Sequence, residues 1–236
     1  AIWWLVFSIP LFRDVPEPPA TGDGKVDVTG AIRELGQTFK RLGQFRQAVL
    51  MLIAFLIYND GIGTIIRMAT IYGTEIGIGT GSLIASIMIV QFVGIPFAFL
   101  FGSFAGKIGA KRAIFIGLVV YTGISLLGYY MKSATDFLIL ALLVGMVQGG
   151  TQALSRSLFA SMIPKDRSAE FFGFFAVVEK FAGIFGPWVF ARVIGVTGSS
   201  RAAILAVVVF FFVGGALLHF VDVDKGQREA RAAEAA

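Results

Sequence analysis

A carboxylate and a guanidinium lie seven residues apart inside one apolar stretch. Asp60 and Arg67 belong to the segment 58–67 (YNDGIGTIIR), which has apolar residues on both sides, at 48–57 and 68–72. The whole stretch is long enough to cross a bilayer, which takes about 20 mostly apolar residues. An ionisable group at membrane depth costs at least ~2.5 kcal/mol, so it persists where it faces protein or water. Asp60 is therefore the leading candidate for a group that binds a solute or exchanges a proton.

Two interpretations of each charge are open at this point. Asp60 belongs to a transport pathway, or it is paired permanently with a nearby cation such as Lys180 as a structural lock. Arg67 lies on the same helix face as Asp60 but about 10 Å further along the axis, at 1.5 Å per residue. It meets the carboxylate of a solute, or it extends to the outer membrane interface. Asn59 adds an amide beside Asp60.

Further polar side chains fall within later apolar stretches. Gln148 and Gln152 lie one helical turn apart and offer neutral donors and acceptors, either to a solute or to a neighbouring helix. Glu179 and Lys180 point about 100° apart on one helix, so each must reach a different partner. Together with Arg156, they are gating or structural charges: a salt bridge of a gate and a static tie between helices are both compatible with the pattern.

The composition is that of a helical membrane protein. Of 236 residues, 56% are hydrophobic and 15% are charged, and the mean hydropathy is +0.81, whereas soluble domains carry about 25% charged residues. There is no cysteine and one histidine, so the sequence predicts no metal site and no cofactor. It also lacks a nucleophile–base pattern, which argues against an enzyme. The net charge of +5 comes from basic residues scattered over short loops, which argues against nucleic-acid binding.

The chain divides into four parts. Residues 1–13 indicate the end of a preceding transmembrane helix, and 14–45 a Pro-rich cytoplasmic linker with an amphipathic helix. Residues 46–221 predict a bundle of six transmembrane helices, and 222–236 a polar cytoplasmic tail. The six spans are expected at 46–72, 82–104, 113–131, 137–162, 169–195 and 201–221.

The basic residues assign the sides of the membrane. They concentrate in the linker, in the turns at 105–112 and 163–168, and in the tail, whereas the alternate loops hold only Lys132, Arg192 and Arg201. Because cytoplasmic loops carry an excess of Lys and Arg, the linker, both of these turns and the tail are predicted to lie in the cytoplasm.

The turn between the second and third spans carries a glycine and basic motif. Its members are Gly102, Gly106, Lys107, Gly109, Lys111 and Arg112. The motif resembles the loop signature of the major facilitator superfamily, Gly-x-Leu-Ala-Asp-Arg-x-Gly-Arg-Lys, found between the second and third helices of each six-helix half. Gly106 replaces the acidic residue of that signature and Ala110 replaces the following Arg. The resemblance therefore does not imply a latch formed by a carboxylate at this turn.

Two further stretches narrow the resemblance. Residues 58–65 (YNDGIGTI) and 145–186, with QGGTQALSRS at 148–157 and FFGF at 171–174, look like the vacuolar amino-acid effluxers, a family of autophagy-related permeases with bacterial members. The resemblance covers nearly the whole chain. It implies a twelve-helix fold with a central cavity between two halves, and efflux of amino acids.

The fold expected from the sequence is an all-α membrane protein, the six-helix carboxy-terminal bundle of a twelve-helix major facilitator fold. The expected function is secondary active transport of small solutes by alternating access, with amino acids and protons as candidates. The expected partners are this solute, protons, the lipid bilayer and the missing amino-terminal half. A plasma (bacterial inner) membrane is the expected location and the vacuolar membrane the alternative. A scaffold or receptor that reuses the fold without transport is the alternative function.

Overall fold

A computed structural model describes residues 2–14, 28–181 and 183–235, so much of the linker expected at 14–45 lies outside the described residues. The chain divides into two compact units, Ala1–Gly36 and Gln37–Ala236. The first unit contains α1 (Ile2–Asp14), and α2 (Val28–Leu42) begins in the first unit and ends in the second. The rest of the second unit consists of α3 (Arg46–Glu75), α4 (Thr80–Ile108), α5 (Ala110–Tyr130), α6 (Ala134–Ala160), α7 (Ser168–Phe181), α8 (Phe185–Thr197), α9 (Ser200–Ala206), α10 (Val208–Phe220) and α11 (Val223–Glu234), with a 3₁₀ turn at Lys165–Arg167.

The prediction of an all-α membrane bundle is confirmed. Among the described residues the regular elements are helices, and six segments are long and apolar enough to cross a membrane. The fifth of these segments consists of α7 and α8, and the sixth of α9 and α10. The second span runs on to Ile108 and the third begins at Ala110, so both helices extend further into the basic turn than the hydropathy pattern alone indicates.

Small residues bring the helices of the bundle close together. α4 packs along α6, and α10 packs along α3. A Cβ atom on Gly145 would lie 3.1 Å from the carbonyl oxygen of Val90, and one on Gly214 would lie 2.8 Å from the Cβ atom of Tyr58. Small residues of this kind let backbones approach closely in lipid, where the hydrophobic effect does not drive helix association.

Lys111, in the glycine and basic motif, stabilises the end of another helix. Gly109 adopts φ +91° between α4 and α5, a conformation that favours glycine. Two residues further on, the Lys111 Nζ donates hydrogen bonds to the carbonyl oxygens of His219, at 2.8 Å, and Val221, at 2.7 Å. These carbonyls lie at the end of α10, where a cation satisfies unpaired acceptors and the negative end of the helix dipole.

Replacing Lys111 with Met should lower the free energy of unfolding by about 1–2 kcal/mol, because two carbonyl oxygens lose a charged donor. Thermal unfolding of the intact polypeptide in detergent measures the effect. Lys107→Met is the matched control, since Lys107 lies in the same turn, is exposed and makes no hydrogen bond to any residue that the structure describes. Equal shifts for the two variants would contradict the prediction.

Candidate functional site

The fifth span is discontinuous. α7 ends at Phe181 and α8 begins at Phe185, with Gly183 between them at φ +156°. Pro187 lies in the first turn of α8, where its missing N–H would have no helical partner in any case. An interruption of this kind leaves carbonyl oxygens at the end of one helix and N–H groups at the start of the next without partners inside the helix. These groups need partners from elsewhere in the protein.

Asp60 contacts the start of α8. Its side chain is buried, with the residue only 2% exposed, and its Oδ2 atom accepts a hydrogen bond of 2.8 Å from the backbone N–H of Gly186. A carboxylate is stabilised at this position because the first N–H groups of a helix carry the positive end of its dipole. The second carboxylate oxygen, Oδ1, has no hydrogen-bond partner among the described residues. Asp60 therefore holds the start of the helix with one oxygen, and its other oxygen is buried without a hydrogen bond to the described residues.

Arg67 contacts the backbone just before α8. Its Nε atom donates to the carbonyl oxygen of Gly63 at 3.0 Å, and its Nη1 atom donates to the carbonyl oxygen of Gly183 at 3.3 Å. Asp60 and Arg67 form no ion pair in the part of the chain that is described. Instead, α3 contacts the interruption at two points, with a carboxylate on an N–H group and a guanidinium on a carbonyl oxygen.

Thr64 completes this contact, and sequence reasoning missed it. Its hydroxyl donates to the carbonyl oxygen of Asp60 at 2.7 Å and is fully buried. A Cβ atom on Gly186 would collide with the Thr64 Oγ1 and would lie 3.0 Å from the Asp60 Oδ1, so only glycine fits here. Asp60, Thr64 and Arg67 of α3, with Gly183 and Gly186, are called the break clamp below. The residue type alone gave no signal for this contact, because threonine is common where transmembrane helices pack.

The other predicted charges lie away from the break clamp. The Arg156 Nη2 donates to the Glu179 Oε1 at 2.7 Å, and this half-exposed pair joins α6 to α7. Lys180 is exposed and forms no ion pair in the described ranges. In this structure the partner of Asp60 is thus the backbone of Gly186 and not the cation that the structural-lock interpretation suggested.

The neutral residues predicted for the site, Gln148, Gln152 and Asn59, lie in different surroundings. Gln148 lines a cavity of about 280 Å³, and Thr64 of the break clamp lines the same cavity. Gln152 is partly buried and lies one turn further along α6, without a hydrogen bond to the described residues. The Asn59 Oδ1 is buried and likewise lacks a partner among them. The structure therefore places Asp60 and Arg67 at the interruption, and Gln148 and Thr64 in the lining of the same cavity.

α8 also carries an aromatic side chain close to the interruption between α7 and α8. Trp188 follows Pro187 in the first turn of α8 and is 60% exposed. The guanidinium carbon of Arg192, one turn later, lies 5.9 Å from the centre of the Trp188 ring, within the range of a cation–π contact. This pair lies on the outer surface of the helix whose first turn the break clamp holds.

Comparisons with known proteins give one family and several relatives. The model of the family described as "Vacuole effluxer Atg22 like" matches residues 1–231. The "Uncharacterized MFS-type transporter YxiO" of Bacillus subtilis is 40% identical over 224 residues, which cover 95% of this chain and 52% of that protein. "Autophagy-related protein 22-1" of Penicillium rubens is 29% identical over 254 residues, 97% of this chain and 43% of that protein. The chain spans about half the length of the curated relatives it matches.

Proposed function

Because this chain belongs to the vacuole effluxer Atg22-like family, we propose that it is the carboxy-terminal half of a secondary active transporter. The whole protein moves small solutes across a membrane by alternating access between two six-helix halves. Support comes from the six apolar spans and from relatives about twice as long, one of which is named an MFS-type transporter. Amino acids are the proposed solutes, on the resemblance to the amino-acid effluxers. The proposed location is a plasma membrane, with the vacuolar membrane as the alternative.

The discontinuous fifth span supports this proposal most directly. Irregular backbone at membrane depth is tolerated where it is enclosed by protein or lines a water-filled cavity. Transporters use such interrupted helices, with ionisable side chains beside them, to bind solutes and coupling ions near the middle of the membrane. The break clamp has these parts: a buried carboxylate with one oxygen that lacks a hydrogen bond to the described residues, a guanidinium, and the two backbone groups at the interruption that they bind.

We propose Asp60 as the coupling group. In its charged form the carboxylate attracts the N-terminus of α8 and the N–H group of Gly186. Protonation removes the charge and weakens that attraction by about 1–2 kcal/mol, so α8 separates from α3 more easily. Uptake and release of a proton at Asp60 would in this way bias the position of α8, and with it the access to one side of the membrane.

The test is efflux from vesicles that contain the intact polypeptide, of which this chain is the carboxy-terminal part. The vesicles are loaded with a mixture of labelled neutral amino acids, and release is followed with and without a proton gradient. Release faster than from protein-free vesicles, and sensitive to the gradient, is the expected result. Release at the protein-free rate under both conditions would reject amino-acid transport by this protein.

A further inference from the structure

A cavity of about 280 Å³ lies inside the six-helix bundle, between α3, α4, α5, α6, α8 and α9. Every lining residue is uncharged, and most are aliphatic or aromatic, such as Ile124, Phe137 and Phe190. Apolar cavities stay dry, and one of 150 Å³ binds benzene, a molecule of six heavy atoms. A cavity nearly twice that volume therefore has room for about ten heavy atoms.

Most hydroxyl groups around the cavity already donate to backbone carbonyl oxygens. These bonds are Thr64 to Asp60 at 2.7 Å, Tyr72 to Gly128 at 2.9 Å, Ser86 to Ser82 at 2.8 Å and Ser125 to Tyr121 at 3.1 Å. Because these donors are used, the four hydroxyls can accept a hydrogen bond from an occupant but have no proton left to donate to it. A charged group would lose its hydration here and find no opposite charge among the lining residues, at a cost of several kcal/mol.

Gln148, like Thr70, lines the cavity without a side-chain hydrogen bond to the described residues. It is partly buried. It is also the last cavity-lining position along α6, so its amide lies at one end of the cavity. Gln91 and Thr70 line the cavity as well, but Gln91 is exposed, so it lies at the opening and not in the interior. A partly buried amide without a partner can orient a ligand that carries one hydrogen-bonding group.

We propose that this cavity binds an uncharged, mainly apolar molecule of about ten heavy atoms, whose single hydrogen-bonding group pairs with Gln148. Such a molecule differs in class from a zwitterionic amino acid, whose ammonium and carboxylate would find no opposite charge among these side chains. The inference goes beyond the proposed function, because binding does not require transport.

The occupant would contact α8 and also α3, the helix that holds the first turn of α8. Thr64 on α3 and Phe190 on α8 line the cavity, and Phe190 is 3% exposed. Since Thr64 also donates to Asp60 within the break clamp, a molecule packed against these two side chains stabilises one position of α8 relative to α3. Binding of an apolar molecule at this site can therefore change how firmly the break clamp holds α8 against α3.

Equilibrium dialysis of labelled indole against the intact polypeptide in lipid nanodiscs tests the proposal, with protein-free nanodiscs as the blank. Indole has nine heavy atoms and one N–H donor. Saturable binding at one molecule per chain is expected for the wild type. Ala141→Phe should abolish it, because Ala141 lines the cavity. The matched control Ala153→Phe should retain it, because Ala153 is exposed on the same helix outside the cavity.

A second variant tests the role of the amide and does not depend on filling the cavity. Gln148→Leu should weaken indole binding about fivefold, the contribution of one neutral hydrogen bond, and leave the binding of naphthalene unchanged. An equal loss for the two ligands would overturn the role assigned to the Gln148 amide. Gln148→Leu does not fill the cavity, so this comparison can be made even if Ala141→Phe does not fold.

Other outcomes would overturn the proposal itself. Indole uptake that is linear in concentration and equal in the wild type and Ala141→Phe would mean partition into lipid only. Saturable binding that occurs in detergent but disappears in nanodiscs would assign the cavity to a lipid acyl chain. Displacement of indole by leucine would reject the restriction to uncharged molecules. Indole binding without amino-acid efflux would reject amino-acid transport and keep this inference, and efflux without saturable indole binding would reject this inference and keep amino-acid transport.

Discussion

Asp60→Asn is expected to reduce gradient-driven efflux from vesicles to the level of protein-free vesicles, while the protein remains folded. Asparagine has nearly the same shape as aspartate and caps helix N-termini as well as aspartate does, so its amide oxygen can still accept the Gly186 N–H. It cannot take up a proton, and it lacks the charge that attracts the start of α8. The substitution thus separates the coupling role proposed for the carboxylate from its structural role.

The measurement compares the wild type with Asp60→Asn at equal protein level, with and without a proton gradient. Asp166→Asn is the matched control, because it makes the same chemical change in the exposed turn before α7 and should leave efflux unchanged. Efflux that survives Asp60→Asn would leave the protein a transporter but reduce Asp60 to a structural cap. A variant that unfolds would show that the charge itself is needed for stability, which contradicts the prediction.

Gly186→Ala is expected to destabilise the protein by about 1–3 kcal/mol, the usual cost of forcing extra volume into a packed contact. The added methyl group would collide with the Thr64 Oγ1 and press on the backbone and the carboxylate of Asp60. To relieve the collision, α8 would have to move away from α3, which lengthens the hydrogen bond between Gly186 and Asp60. Thermal unfolding of the intact polypeptide measures the loss.

Two further variants isolate the cause. Gly173→Ala, in α7, adds the same methyl group at a position with no atom within 4 Å, so it should be neutral or stabilise the helix slightly. Thr64→Ala removes the nearest colliding atom, so the double variant with Gly186→Ala should lose less than the sum of the two single losses. Additive losses would mean that the contact between Thr64 and Gly186 is not the source of the destabilisation.

The sequence made Asp60 and Arg67 recognisable because charged residues are rare and costly inside an apolar stretch. Their partners were not predictable in the same way. Gly183 and Gly186 lie more than 100 residues further along the chain, and they contribute backbone atoms, which have no signature in a residue type. Hydropathy located the six spans well, since it depends on composition over about 20 residues. It could not locate the interruption between α7 and α8, which occupies only a few residues.

For the neutral residues, too, the sequence could suggest a residue type but not its partners. Threonine is common in transmembrane helices, so Thr64 gave no signal until the close approach of Gly186 was visible. Gln148 was recognised as a possible contact for a solute or a neighbouring helix, but the cavity that it lines is formed by six helices together. No single segment of sequence encodes the volume of such a cavity or which of its donors are already used.

Trp188 gives α8 its own optical reporter. Indole emission shifts with the polarity of the surroundings, and the Trp188 ring is exposed beside Arg192 in the turn that follows the interruption. The other two tryptophans of this chain, Trp3 and Trp4, belong to the unit Ala1–Gly36 and can be replaced with phenylalanine. The fluorescence of the chain would then come from the first turn of α8, and its wavelength would follow in real time whether that helix changes its surroundings when a gradient is applied.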